Sequence, residues 1–80
     1  MFISQAVAQR TSELLKEKKL SKYALCKKTG IPKDTLKNIY KNKTQSVNLK
    51  TIVLISYGLE ITVSEFLNSS LFNYDELNID

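Results

Sequence analysis

Apolar residues recur at three- and four-residue steps along most of the chain, which is the spacing of amphipathic α-helices. The first such segment predicts a helix over residues 4–18, capped by the side chain of Ser4. Its charged end, from Lys16 to Lys19, suits a helix C-terminus, where cations are favoured. The inward positions of this helix are Val7, Thr11, Leu14 and Leu15.

The stretch from Leu20 to Thr44 predicts two short helices joined by a tight turn. Ser21 is a typical N-cap for the first of them, and Gly30 ends it because glycine readily adopts the left-handed conformation. Pro32 suits the first turn of the next helix, where its missing N–H costs nothing. The inward positions are Leu25, Cys26, Leu36, Ile39 and Tyr40, with Ile31 filling the gap between the helices.

Two more helices are predicted after a polar loop over residues 41–47. The fourth helix runs from Leu49 to about Gly58 behind the cap Asn48, and it is apolar nearly all round. Such a helix is expected at the centre of a bundle. Its inward positions are predicted as Leu49, Ile52, Val53, Ile55 and Ser56.

Thr62 and Glu65 form the sequence signature of a capping box, which opens a short fifth helix with Val63, Phe66 and Leu67. The pattern therefore predicts an all-α, compact five-helix domain. Residues 69–80 follow it as an acidic tail in which apolar residues fit neither helical nor strand spacing. Because so many apolar residues argue against disorder, we predict that Leu71, Phe72 and Tyr74 pack against the body or a second copy.

Charge is distributed unevenly over the 80 residues, whose net charge is +4. All 12 Lys and Arg residues lie within residues 1–68, and three of the 8 acidic residues lie in the last twelve positions. A basic body suggests a polyanionic partner, but a solvated lysine-rich surface explains the charge equally well.

Several kinds of chemistry are excluded by composition. With no histidine and one cysteine, the chain has no His/Cys zinc site and no histidine-based triad. Two glycines cannot build a P-loop or a dinucleotide fingerprint, so we predict no catalytic residues, no metal and no cofactor. Cys26 is interpreted as a small inward filler rather than a redox sensor. The single cysteine, the absence of a signal peptide and the absence of a membrane-spanning run favour a cytoplasmic protein.

A series of residues in order along the chain resembles the lambda-repressor-like (Cro-type, XRE-type) helix-turn-helix transcriptional regulators. The resemblance covers roughly residues 7–68 and implies a DNA-binding domain over residues 1–68, with its helix-turn-helix motif at about 21–42. The matching segments are Leu20-Ser21, Leu25-Cys26, Thr29-Gly30-Ile31, Thr35-Leu36, Lys41-Asn42-Lys43-Thr44, Leu49, Thr51-Ile52, Leu59 and Ile61 to Leu67.

This chain departs from the family pattern at several positions, three of which change what we expect of the structure. Glu60 stands where a glycine is common, so the bend there is expected to differ. Many relatives pair an Arg in the first helix with a Glu late in the third, whereas Leu15 and Tyr40 hold those positions here. We predict that Leu15 packs on the Tyr40 ring in place of the ion pair.

The resemblance implies that the helix over residues 33–42 enters the major groove of DNA. It assigns base contacts to Lys33, Asp34, Thr35 and Asn38, because Lys suits guanine, Asn suits adenine and Asp accepts from cytosine. It assigns phosphate contacts to Lys22, Tyr23, Lys37, Lys41, Lys43 and Thr44. The alternative is that these side chains are solvated surface, and for Tyr23 the two interpretations stand level.

The implied function is that of a sequence-specific transcriptional regulator of double-stranded DNA, a small repressor of bacterial or phage type. We expect a homodimer, with helix five and the tail as the candidate dimer surface, and no membrane association. The alternative is a protein-interaction module, such as an antitoxin or adaptor, that uses the same fold.

Overall fold

The computed structural model of the chain describes residues 1–41 and 46–79. Five α-helices form within those ranges, no β-strand occurs in them, and two short 3₁₀ turns follow the last helix. The all-α, five-helix prediction is therefore confirmed. The elements are α1 (Ile3–Lys18), α2 (Lys22–Thr29), α3 (Lys33–Tyr40), α4 (Leu49–Gly58), α5 (Val63–Leu67), η1 (Ser70–Phe72) and η2 (Tyr74–Glu76).

The predicted caps of the second and fourth helices are confirmed. The Ser21 hydroxyl accepts a hydrogen bond from the Ala24 N–H at 3.0 Å, which begins α2. Gly30 ends that helix with φ of 76°, in the left-handed region that a side chain disfavours. Asn48 caps α4 by accepting from the Thr51 N–H at 2.9 Å. Local side-chain chemistry thus sets these three helix ends.

The places predicted for Ser4 and Pro32 at the starts of their helices are wrong by one or two residues. Ser4 is fully buried inside the first turn of α1, and the N-cap is Phe2. The Phe2 N–H donates to the Gln5 side-chain oxygen at 2.7 Å, and the Ala6 N–H, one of the donors that a Ser4 cap would serve, donates to the Phe2 carbonyl at 3.1 Å. Pro32 is the N-cap of α3 rather than a residue of its first turn.

The capping box of α5 is confirmed, since the Thr62 hydroxyl accepts from the Glu65 N–H at 3.0 Å and Glu65 reaches back to the Thr62 N–H. Just before it, Glu60 adopts φ of 61°, the left-handed conformation for which glycine is suited. The bend is therefore made without glycine. Arg10 fastens the far end of α5, because its guanidinium donates to the Phe66 carbonyl at 2.8 Å.

The core lies between all five helices, with α3 packed on α1 and α2 packed on α4. Gly58 allows the second pair to approach, because a Cβ atom there would lie 2.5 Å from both Leu25 Cδ1 and Thr29 Cγ2. Thr11, the polar residue in the inner stripe of α1, is fully buried and donates to the Val7 carbonyl at 2.7 Å. The buried cluster consists of Val7, Ala8, Leu14, Leu15, Leu25, Ile31, Leu36, Ile39, Ile52, Ile55, Leu59 and Phe66.

The prediction that α4 lies at the centre of the bundle with Leu49 and Val53 inward is wrong. Ile52, Ile55 and Ser56 face the core, but Leu49 is 63 % exposed, Val53 46 % and Tyr57 62 %. The helix packs against α2 and α5, and its far side remains open to solvent. None of the described helices is long and apolar enough to cross a membrane.

The tail folds back onto the start of the chain. The Phe72 ring packs on the core at 6.0 Å from the Phe66 ring centroid, as predicted for this residue. The Asn78 N–H donates to the Met1 carbonyl at 2.8 Å, which joins the tail to the N-terminus. Tyr74, in contrast, is exposed, so it does not pack on the body, and its packing on a second copy stays a prediction.

Candidate nucleic-acid interface

The outward face of α3 carries polar and charged side chains only. Leu36 and Ile39 hold the helix on the core, and Thr35 is half-buried at the edge of the contact. Of the four residues predicted to contact bases, Thr35 is therefore the least accessible. The exposed residues are Lys33, Asp34, Lys37 and Asn38, followed by Lys41. Helical spacing brings these five together on the side opposite the core.

The predicted extent of this helix, residues 33–42, is too long. It ends at Tyr40, and Lys41 is its C-cap with φ of −86°. Asn42, Lys43 and Thr44 lie outside the described residues, so the phosphate contacts predicted for Lys43 and Thr44 remain predictions.

A groove of about 700 Å³ runs between α2 and α3 beside this outward face. Four of the residues predicted to contact phosphate line it, and no acidic side chain from residues 1–41 or 46–79 does. Its floor is apolar, formed by Leu36, Cys26 and the two tyrosine rings, while five ammonium groups surround it. The lining residues are Lys22, Tyr23, Cys26, Lys27, Lys33, Leu36, Lys37, Tyr40 and Lys41.

Tyr40 connects three helices at one end of this groove. The Ser12 hydroxyl of α1 donates to the Tyr40 phenolic oxygen at 2.9 Å. The Lys22 ammonium of α2 lies over the Tyr40 ring, 3.7 Å from its centroid. This is the geometry of a cation–π contact, so the ring helps to fix a lysine that sequence reasoning assigned to phosphate.

Burial raises the pKa of Tyr40, and the hydrogen bond with Ser12 opposes that shift only in part. The phenol therefore stays neutral around physiological pH. Leu15, expected to pack on this ring, is buried, and Tyr40 packs against the same core cluster. Neither of these side chains points away into solvent.

Two features of the site were missed by sequence reasoning. Lys27 was given no role, yet it lines the groove, with its ammonium 5.9 Å from the Tyr23 ring centroid. The contact between Lys22 and Tyr40 was also missed. The polar tip of an inward tyrosine indicates a hydrogen-bond partner such as Ser12, because a buried phenol usually has one, but it does not indicate the contact with Lys22.

Lys28 differs from the other lysines of α2 because it lies on the opposite side of the motif. Its ammonium donates to Glu60 Oε1 at 2.7 Å, and that hydrogen bond and charge lower the pKa of Glu60. Cys26 is half-buried at the groove floor. Across residues 1–41 and 46–79, no group of three His, Cys, Asp or Glu side chains is arranged to hold a metal ion.

The lysines of such a site can bind a polyanion. The Asn38 amide and the Asp34 carboxylate can form hydrogen bonds with groups that face the outward side of α3. Comparison with models of known protein families supplies a match. The model of the Cro/C1-type HTH DNA-binding domain matches residues 10–69, from within α1 to the start of the tail. No curated protein and no solved structure matches the chain.

Proposed function

Because the chain belongs to the family of Cro/C1-type helix-turn-helix DNA-binding domains, we propose that it is a small, sequence-specific transcriptional repressor. In this proposal α3 enters the major groove of double-stranded DNA. Domains of this family are typically non-enzymatic, and we expect no catalytic activity. A bacterial or phage cytoplasm is the expected setting.

The outward face of α3 is the observation that carries the proposal. Asp34 and Asn38 are both exposed and stand four residues apart, about one helical turn. Both can therefore contact base edges on the floor of the same DNA major groove. An asparagine amide can pair bidentately with adenine, and a carboxylate can accept from cytosine N4. Lys33, one turn before Lys37, can donate to guanine O6 and N7.

Phosphate contacts would come from the groove between α2 and α3. Lys22 and Tyr23 begin α2, while Lys37 and Lys41 lie on the α3 wall of the groove. A row of ammonium groups without a carboxylate lining favours a phosphate backbone. We assign Lys43 and Thr44, which follow α3, to the same role.

A dimer is part of this proposal. One domain of this size buries about 600–1,000 Å² on DNA, which is modest for selective binding. Two copies on a near-palindrome, with half-sites about one helical turn apart, would double the contact.

Selection of bound sites from random duplexes at low salt tests the proposal. We expect a short enriched motif and an affinity that falls with salt, with log K decreasing by about 0.9 per phosphate contact for each tenfold increase in salt. A selection that enriches no motif would overturn sequence-specific binding.

The second candidate function is that of an antitoxin or adaptor that binds another protein. It is favoured by one observation, the exposed apolar side of α4. Salt dependence separates the two functions, because an apolar protein interface responds far less to salt than phosphate contacts do.

A further inference from the structure

One side of α4 exposes three large apolar side chains at four-residue steps: Leu49, Val53 and Tyr57. We call them the α4 stripe. They are 63 %, 46 % and 62 % exposed, whereas Ile52 and Ile55 of the same helix are buried. Leaving large apolar side chains in water forgoes the free energy of their burial, and contiguous apolar patches on small domains often mark interaction sites.

We propose that the α4 stripe is the surface on which a second copy of this chain packs, with the two α4 helices antiparallel across a twofold axis at Val53. The inference rests on the proposed DNA-binding function, for which it supplies the dimer contact. The spacing is symmetric, since Leu49 and Tyr57 lie four residues either side of Val53. A twofold pair therefore sets Leu49 of each copy against Tyr57 of the other, which is the self-complementarity that such an interface requires.

The charges around the stripe favour a second copy as the occupant. Lys50 is the one charged residue within α4. At the Tyr57 end, the Lys28 ammonium lies 5.9 Å from the ring centroid, and Glu60 neutralises it at 2.7 Å. Two copies with a net charge of +4 each repel least where their surface charge is lowest. Two copies would repel each other most strongly at the groove between α2 and α3, which is lined by five lysines.

The helix that carries the stripe is held at both ends, so pairing would require little reordering. Gly58 holds the end of α4 tightly on Leu25 and Thr29 of α2, and Asn48 caps its start. Preorganised surfaces lose less entropy on binding than mobile ones do. The tail, our earlier candidate, is less suitable because Phe72 is already packed on its own core.

The stripe is short. A ten-residue helix is about 15 Å long, and three side chains contribute far less than the roughly 800 Å² per partner of a typical stable interface. The pair is therefore weak in free solution and forms when neighbouring half-sites hold two copies at high effective concentration. It appears as cooperativity on DNA.

The test compares duplexes that carry one or two half-sites of the selected motif, using wild type, Val53→Lys and the control Gln9→Lys. Gln9 is an exposed residue of α1, so the control adds the same charge away from the stripe. We expect Val53→Lys to bind one half-site as wild type does and to lose cooperativity of about tenfold or more, which corresponds to about 1.4 kcal/mol. Gln9→Lys keeps the cooperativity.

Mixing Val53→Lys with Val53→Asp provides a second, independent measurement. Because residue 53 meets its own copy at the axis, the mixture places Lys against Asp and should regain cooperativity that neither variant shows alone. A mixture as weak as each variant, or a Val53→Lys that remains cooperative, overturns the inference.

Sedimentation without DNA keeps this result separate from the proposed function. At high chain concentration, the average mass of wild type should rise with concentration while that of Val53→Lys should not; a Val53→Lys that self-associates as much as wild type would overturn the α4 contact. If the wild type failed to prefer the selected half-site over random DNA, that result would instead count against the proposed DNA readout.

Discussion

Helices α3 and α4 are alike on the inside and opposite on the outside. Each buries apolar residues in the same core, Leu36 and Ile39 from one and Ile52 and Ile55 from the other. The outer side of α3 is polar and cationic, whereas the outer side of α4 is the apolar stripe. Stability of the free chain explains the inward residues of both helices.

The outward residues have a different explanation. Solvated lysines and an asparagine cost a free domain little, but an uncovered apolar stripe leaves burial energy unused. The same fold thus presents one surface suited to phosphates and base edges and another suited to an apolar partner. In a domain this small, the outward side chains carry the functional information.

The largest expected effect is on the free energy of unfolding, and it comes from the close contact between α4 and α2 at Gly58. Replacing Gly58 with Val should cost about 3 kcal/mol, because its Cβ would lie 2.5 Å from side-chain atoms of Leu25 and Thr29 and its methyl groups overpack the contact. Chemical denaturation measures the loss. The outward faces of both helices should then lose their functions together.

Gly30→Ala is the matched control for that variant. A Cβ at Gly30 meets nothing within 4 Å, so only the positive φ of 76° opposes the substitution. Its cost should be about 1–2 kcal/mol. If Gly58→Val were no more costly than Gly30→Ala, the close approach of α2 and α4 would be wrong.

A smaller effect should follow from removing the ring that holds Lys22. Tyr40→Leu should weaken binding to preferred and random duplexes alike by about 0.5–1 kcal/mol, the value of a cation–π contact. Tyr40→Phe keeps the ring and loses only the Ser12 hydrogen bond, so it should lose less.

Measuring DNA binding by the Tyr40 variants in the Lys22→Ala background checks whether the ring acts through Lys22. Tyr40→Leu should add little to Lys22→Ala if the ring acts through that lysine. Tighter binding by Tyr40→Leu would mean that the ring withholds Lys22 from DNA, contrary to the role described here.

The smallest effect concerns the ion pair of Lys28 and Glu60. The pair lowers the pKa of Glu60 in the folded chain below its ordinary value of 4.5, so the unfolded chain binds more protons near that pH. The pair therefore stabilises the fold at neutral pH, and this contribution is lost as the pH falls through the folded-state pKa. The effect is small because the pair is exposed.

Melting temperatures of wild type and Lys28→Ala should differ slightly at neutral pH and converge in acid. Lys27→Ala is the control, since it removes the same charge from α2. Lys27 lines the groove between α2 and α3 and has no acidic partner among the described residues. A difference between wild type and Lys28→Ala that persists unchanged well below pH 4.5 would exclude the ion pair as its cause.

The parts of the fold that follow local rules could be predicted from sequence. Ser21, Asn48 and Thr62 are caps because each offers an oxygen to an N–H two or three residues ahead. The inner stripe of α3 followed from helical spacing, since its polar residues mark the other side. Together with the family resemblance, this was sufficient for the five-helix architecture.

The wrong predictions concern features that the local sequence pattern does not determine, such as which side of a helix faces the core. A helix as apolar as α4 has no polar side to fix which residues face inward, so Leu49 and Val53 were assigned wrongly. Ser4 has a side chain that is favoured at an N-cap, but α1 begins at Ile3, so Ser4 lies within the first turn. The contact of Lys22 with Tyr40 joins residues from different helices, and spacing alone cannot show it.

The central claim is that the outward face of α3 reads sequence while the neighbouring groove holds phosphates. It is tested most directly by the affinities of wild type, Asn38→Ala and Lys22→Ala for the preferred duplex and a random duplex over a series of salt concentrations. Asn38→Ala should cost about 1–3 kcal/mol on the preferred duplex and little on random DNA. Lys22→Ala should weaken both duplexes alike and reduce the salt slope by about one. Equal losses on the two duplexes for Asn38→Ala would contradict the account.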